Sequence, residues 1–131
     1  MIPAVWDELE SVLAPAFEAG EGILSRRDIY NWLMEDHAVA FSTMKDGKIT
    51  SVLIVMKVRY SEYSVARIVA CAGKNLRGAM KFIDALEAWA LTQGCVEIEG
   101  WCRASVARLV RPLGWKPKLT IVSRDLRHKL H

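Results

Sequence analysis

Residues 63–126 read YSVARIVACAGKNLRGAMKFIDALEAWALTQGCVEIEGWCRASVARLVRPLGWKPKLTIVSRDL. This stretch decides the fold, because its periodicity changes in a definite order. Tyr63, Val65, Arg67, Val69 and Cys71 alternate with Ser64, Ala66, Ile68, Ala70 and Ala72. That run is apolar on both faces, which predicts a strand covered on two sides. Gly73 stops it, and Lys74 to Gly78 is a polar loop with turn residues at its ends. Phe82, Ile83, Leu86, Trp89 and Ala90 then recur at helical spacing, with Lys81, Asp84 and Glu87 off that face. Gly94 suits the residue after a helix, because it takes positive φ without a Cβ clash. Val96 and Ile98 alternate with Glu97 and Glu99 in a short strand ending at Gly100. Val106, Leu109 and Val110 predict a short helix, limited by Pro112. Leu119, Ile121 and Val122 predict a last strand before a basic tail.

The first half completes the pattern. Val5, Trp6, Leu9, Val12, Leu13, Ala16 and Phe17 form a helical stripe, closed by Gly20 and Gly22. Ser25 followed by Asp28 resembles a capping box, and Ile29, Trp32 and Leu33 give the next helix a buried face. Ala38 to Met44 reads as a strand, and Asp46-Gly47 as a hairpin turn. Ile49 to Val58 is a longer strand, apolar on both faces near Val52–Met56. The predicted order is ααβββαβαβ, an α/β (α+β) domain spanning residues 1–131.

Composition narrows the class. The chain has 131 residues and is 52% apolar, enough for one domain with a real core. Its apolar runs fall short of the about 18 residues a membrane span needs, so a membrane partner is not expected. The opening Met1-Ile2-Pro3-Ala4 lacks the basic start of a secretory signal, so the expectation is a cytoplasmic protein. Cys71, Cys95 and Cys102 are an odd set without metal-ligand spacing and read as buried reduced thiols. Neither His37, His128 and His131 nor the carboxylates make a metal motif.

Charge is asymmetric. Up to Asp36 there are eight acids (Asp7, Glu8, Glu10, Glu18, Glu21, Asp28, Glu35, Asp36) against Arg26 and Arg27. From Arg103 onward there are eight bases (Arg103, Arg108, Arg111, Lys116, Lys118, Arg124, Arg127, Lys129) against Asp125. Such a basic end attracts phosphate, or simply keeps the protein soluble. Trp101 and Trp115 interleave with Arg103, Arg108 and Arg111, as in a stacking surface for nucleic acid. The same arginines follow helical spacing and mark an outer face, so nucleic acid is set aside as a partner.

Two segments carry a resemblance to a known family. Ala66 to Gln93 is a strand–loop–helix unit, and Val96 to Trp115 is a strand and helix ending in the pair Gly114-Trp115. Together they resemble the GNAT (Gcn5-related N-acetyltransferase) superfamily, most closely its short members in tailed bacteriophages and prophages. The resemblance implies a central mixed, mostly antiparallel sheet flanked by helices. It also implies acetyl-CoA as cofactor, a CoA thioester and an amine acceptor as partners, and often a homodimer. Backbone N–H groups of the Gly73–Gly78 loop, with Asn75, Arg77, Gly78 and Ala79, would cradle the pyrophosphate. The strand end at Val69 and Cys71 would offer an N–H to the thioester carbonyl. Trp101 and Arg103 would line the slot.

This sequence departs from the family's pattern. In the loop motif only Gly78 matches, and Val110 stands where the family usually carries a general-acid Tyr. Arg103 replaces an Asn often found at the start of that helix. Glu97 and Glu99 share a face and are the candidate acid/base groups, or else the solvent side of a half-buried strand. Tyr60 and Tyr63 border the cleft or serve packing. Cys71 is a nucleophile only if nearby charge lowers its pKa, and otherwise a small core residue. Two functions follow from the resemblance: a CoA-dependent N-acyltransferase, or a non-catalytic phage protein of the same fold acting as a virion component or host-factor binder. The corresponding location is the host bacterial cytoplasm or the virion.

Overall fold

The computed structural model describes residues 2–19, 25–73, 82–100, 108 and 110–129. The chain divides into two compact units, Met1–Trp101 and Cys102–His131.

In the first unit, α1 (Ile2–Ala19) and α2 (Arg26–Met34) precede three antiparallel strands, β1 (Ala38–Lys45), β2 (Lys48–Arg59) and β3 (Ser64–Gly73). Helix α3 (Phe82–Thr92) then crosses to β4 (Cys95–Gly100), which pairs parallel with β3. The sheet order is β1-β2-β3-β4. It is mixed and mostly antiparallel, with helices on its two faces, as expected from the sequence.

Local chemistry sets the element ends. The Ser25 hydroxyl accepts the Asp28 N–H at 3.1 Å and caps α2, satisfying one of the donors a helix start leaves open. Asp46 and Gly47, at φ 54° and 77°, make the tight hairpin turn between β1 and β2. Gly94, at φ 75°, ends α3 and turns the chain into β4. Thr50 is an extra residue in β2, between the pairs Thr43↔Ser51 and Met44↔Ile49. The irregularity is held by side chains. The Thr43 hydroxyl bonds those of Thr50 (2.8 Å) and Ser51, and Glu8 of α1 accepts the Ile49 N–H at 2.6 Å.

The core has two halves, one on each face of the sheet. Leu9 and Leu13 of α1 and Ile29 and Leu33 of α2 pack on Val52, Ile54, Ala70 and Ala72. Phe82, Leu86 and Ala90 of α3 pack on Leu53, Val55, Ala66 and Cys95. The continuous apolar run of β2 is explained by this alternation between two covered faces. Trp6 and Trp32 join the first half and Trp89 the second, as packing residues.

Four expectations need correction. The alternation of β3 does not run unbroken. Ile54 pairs with Ala70 but Val55 with Ile68, so Val69 is an inserted residue. A one-residue bulge moves every later side chain to the other face. Ala66 therefore packs on the α3 side, and Ala70 and Ala72 on the α1–α2 side. Second, Val96 is 67% exposed rather than part of an apolar face. The pairs Ser64↔Cys95 and Val65↔Glu97 leave it without a partner in the ladder, so Cys95 and Ile98 face the core instead. Third, of the three cysteines Cys95 is buried, Cys71 is exposed, and Cys102 lies outside the described residues.

The fourth correction concerns the second unit. Arg108 and Val110 are helical, and the chain tightens into a 3-10 turn at Arg111–Leu113 over Pro112. Gly114, at φ 95°, closes that turn by donating its N–H to the Arg111 carbonyl at 3.1 Å. The strand expected at Leu119–Val122 is not formed. Residues 115–126 have no regular structure, and Leu119 is 91% exposed. Apolar alternation supplies strand tendency, but a strand forms only against a partner edge, and the described residues give this segment none. Among the described residues no helix is long and apolar enough to cross a membrane.

Candidate functional site

Among the described residues, the parallel ladder of β3 and β4 runs through Arg67↔Glu99 to Ile68↔Gly100. β3 continues to Gly73, still paired with β2 through Ala70, Cys71, Ala72 and Gly73. The bulge at Val69 falls on the first residue past the last β4 rung. Bulges bend a strand and raise its twist, so the bulge at Val69 alters the course of β3 there. Among the described residues, the β4 side of Val69–Gly73 has no strand against it. Backbone N–H and C=O groups on such an edge are available to an extended ligand arm.

Next to the last described rung lies a polar cluster. The Arg67 Nε donates to Glu99 Oε1 at 2.7 Å, across the rung next to the last. The Tyr60 hydroxyl donates to the same oxygen at 2.7 Å and accepts from Arg67 Nη2 at 2.9 Å. The three side chains thus close a ring. Arg67 and Glu99 keep 23% and 19% of their side-chain surface exposed, so solvent screens the pair only in part. Burial disfavours the charged guanidinium, but the hydrogen bonds to Glu99 and Tyr60 and the charge of Glu99 outweigh it, and the Arg67 pKa rises above its ordinary value. Tyr63 packs edge-on against Tyr60, with ring centroids 5.4 Å apart.

The sequence-derived candidates are distributed as follows. Glu97 and Glu99 lie on one face of β4, opposite Ile98, which packs on the α3-side core. Glu99 is drawn into the cluster with Arg67 and Tyr60, whereas Glu97 is exposed. Val69 is the bulge residue, half-buried against the α1–α2 core, and Gly73 pairs with Ser51. Cys71 is exposed at the strand end, yet desolvation by the surrounding protein pushes its thiol pKa up. It is therefore a poor nucleophile at neutral pH. Asn75, Arg77, Gly78, Ala79, Trp101 and Arg103 lie outside the described residues.

Sequence reasoning missed the roles of Tyr60 and Arg67. A usable signal existed in Arg67, the only charged residue in the run Ser64–Gly73. A cation inside a strand covered on both faces requires a partner, and Glu99 is the carboxylate across the rung. Among the described residues no cluster of three or more His, Cys, Asp or Glu side chains is arranged to hold a metal ion.

Known proteins resemble this chain in structure but not detectably in sequence. No family model matches it, and no curated protein matches it in sequence. Among solved structures, the aminoglycoside N-acetyltransferase AAC(6')-Iy in complex with CoA superposes with a TM-score of 0.75 at 15% identity, covering 97% of this chain and 91% of that one. An aminoglycoside acetyltransferase from an uncultured soil metagenomic sample gives 0.69 at 18% identity, covering 94% and 93%. A ribosomal-protein-alanine N-acetyltransferase from Brucella melitensis biovar Abortus 2308 gives 0.70 at 14% identity, covering 93% and 94%. At these identities the likeness establishes architecture, and the chain has the fold of the GNAT acetyltransferases.

Proposed function

We propose that this protein is a CoA-dependent N-acyltransferase that transfers an acetyl group from acetyl-CoA to an amine. One observation carries the reading: among the described residues β3 continues past its last rung with β4, and the bulge at Val69 falls on the next residue. A split between parallel strands gives the pantetheine arm an edge to pair with, and the N–H groups around Val69 and Cys71 a thioester carbonyl to polarise. The solved structures of like fold support the same donor, since AAC(6')-Iy was crystallised with CoA. Asn75, Arg77, Gly78 and Ala79 are assigned to the pyrophosphate, and Trp101 and Arg103 to the slot wall, by family resemblance. Glu97 and Glu99 are assigned to acid/base work. The acceptor is an amine, because the acceptors named for the similar folds are aminoglycosides and a ribosomal-protein alanine.

Val110 favours a second reading. A valine cannot protonate a thiolate, so the protein could keep the fold and act by binding or assembly, as a phage-encoded virion component or host-factor binder. Calorimetric titration with acetyl-CoA and with free CoA separates the two. Micromolar binding is the expected result. No heat of binding up to millimolar ligand would sink the acyltransferase reading and leave the second.

A further inference from the structure

We propose that β1 is an interaction edge whose partner is β1 of a second copy of this chain, paired antiparallel across a two-fold axis. The inference is independent of the acyltransferase reading. In the sheet order β1-β2-β3-β4, β1 stands at one end and, among the described residues, pairs with β2 alone. Its outer side presents a row of backbone N–H and C=O groups, which is a template for another strand. Proteins that keep such an edge to themselves blunt it with charges, proline or a bulge in the edge strand. From Ala38 to Met44, β1 has no charge and no proline. The extra residue of the β1–β2 ladder, Thr50, lies in β2, so β1 itself stays regular. Its one charged residue is Lys45, at the hairpin.

Both faces of β1 suit an added strand. Val39 and Phe41 pack on the α3 side, where the Phe41 ring meets Trp89 edge-on with centroids 6.2 Å apart. Ala38 packs on the α1–α2 side. Ala40, Ser42 and Met44 follow Ala38 on that face by alternation. All three are exposed, Met44 by 62%. The strand is thus anchored through its side chains while its outer edge is held in extended form.

Charge at the two ends of the strand selects the occupant. Just before β1 stand Glu35 and Asp36, both exposed, with His37 3.4 Å from the Glu35 carboxylate. Just after it stand Lys45 and Lys48, both exposed, with Asp46 between them. An edge that is acidic at its start, uncharged along its length and basic at its end complements itself when a second copy runs antiparallel. A parallel copy would set acid against acid and base against base. A two-fold axis at Phe41 pairs the whole uncharged run with itself. Ala40 then lies opposite Ser42 of the second copy, Met44 opposite Ala38, and Lys45 opposite His37, beside Glu35 and Asp36. Each pair recurs by symmetry, as an isologous interface requires. Met44 gains an apolar neighbour, and two four-stranded sheets become one. An eight-residue strand buries little area, so the expected affinity is micromolar.

Sedimentation equilibrium of the full chain from micromolar to millimolar concentration, without CoA, tests the proposal. Wild type should pass from monomer to dimer. The double variant Ala40→Lys/Ser42→Lys sets like charges opposite each other at both symmetry-related pairs. It should raise the dissociation constant at least about tenfold. Ala40→Glu/Ser42→Glu should do the same. An equimolar mixture of the two should dimerise again, because each lysine then faces a glutamate. Asp84→Lys, at an exposed position of α3, should behave as wild type. Amide hydrogen exchange gives a reading that needs no variant and decides the matter if the double variants do not fold. Raising the wild-type concentration should slow exchange in Ala38–Met44 and leave Ser64–Ile68 unchanged. A wild type that stays monomeric at millimolar concentration overturns the proposal. So does a dimer that both folded double variants form as tightly as wild type, or one whose formation leaves exchange in β1 unaltered.

Discussion

The two halves of β3 live in different surroundings. Ser64–Ile68 has β2 on one side and β4 on the other, and Val65 and Ala66 are fully buried. Val69–Gly73 keeps β2 but, among the described residues, has no strand on its other side, and Cys71 is exposed. One strand is thus flanked on both sides at its start and, among the described residues, on one side only at its end, where Ala70 and Ala72 still pack in the α1–α2 core. The divide is a single inserted residue, Val69, with the Arg67–Glu99–Tyr60 ring one rung before it. Substitutions at Val65 and Ala66 should act on folding, whereas the exposed Cys71 should tolerate change and the β4 side of Val69–Gly73 should respond to a ligand.

The largest expected effect comes from charging the first half. Val65→Asp buries a carboxylate in a fully enclosed position and should cost about 4 kcal/mol or more, enough to unfold many domains of this size. Cys71→Ser, only six residues on, should change stability by less than about 0.5 kcal/mol, as at other exposed sites. Denaturant midpoints of the two variants measure the contrast. Comparable losses would mean that the halves are not distinct.

A smaller effect depends on pH. The Cys71 pKa is raised by desolvation, so the folded state holds the proton more tightly than the unfolded state. Its contribution to stability is fully present below the ordinary thiol pKa of 9.0 and is lost as pH rises through the higher folded value. Wild type should therefore lose stability above about pH 9 relative to Cys71→Ser, and match its pH dependence below that. Parallel stability curves up to pH 11 would show that the thiol feels no such environment.

Much of this contrast could not be read in the sequence. Local signals were legible, because they depend on neighbouring residues alone: the Ser25 cap, the Asp46-Gly47 turn, the Gly94 stop and the apolar face of α3. The order of the first seven elements followed from them. The bulge at Val69 has no local signature. Valine is an ordinary strand residue, and only the register against β2 shows that one residue is extra. The exposure of Val96 has the same cause, since apolar alternation assumes an unbroken ladder. The last strand failed for a related reason. Leu119, Ile121 and Val122 carry strand tendency, but tendency cannot supply a pairing edge. Of the candidate site, Glu99 was legible as a carboxylate beside the slot. Its ties to Arg67 and Tyr60 were not, because they join residues 32 and 39 positions away in sequence.

The central claim is that the second half of β3 is a ligand edge, and backbone amide hydrogen exchange with and without saturating CoA tests it most directly. The account predicts that CoA slows exchange in Val69–Gly73 and leaves Ser64–Ile68, already slow from pairing on both sides, unchanged. CoA that binds and slows exchange elsewhere, with Val69–Gly73 unaffected, would contradict it.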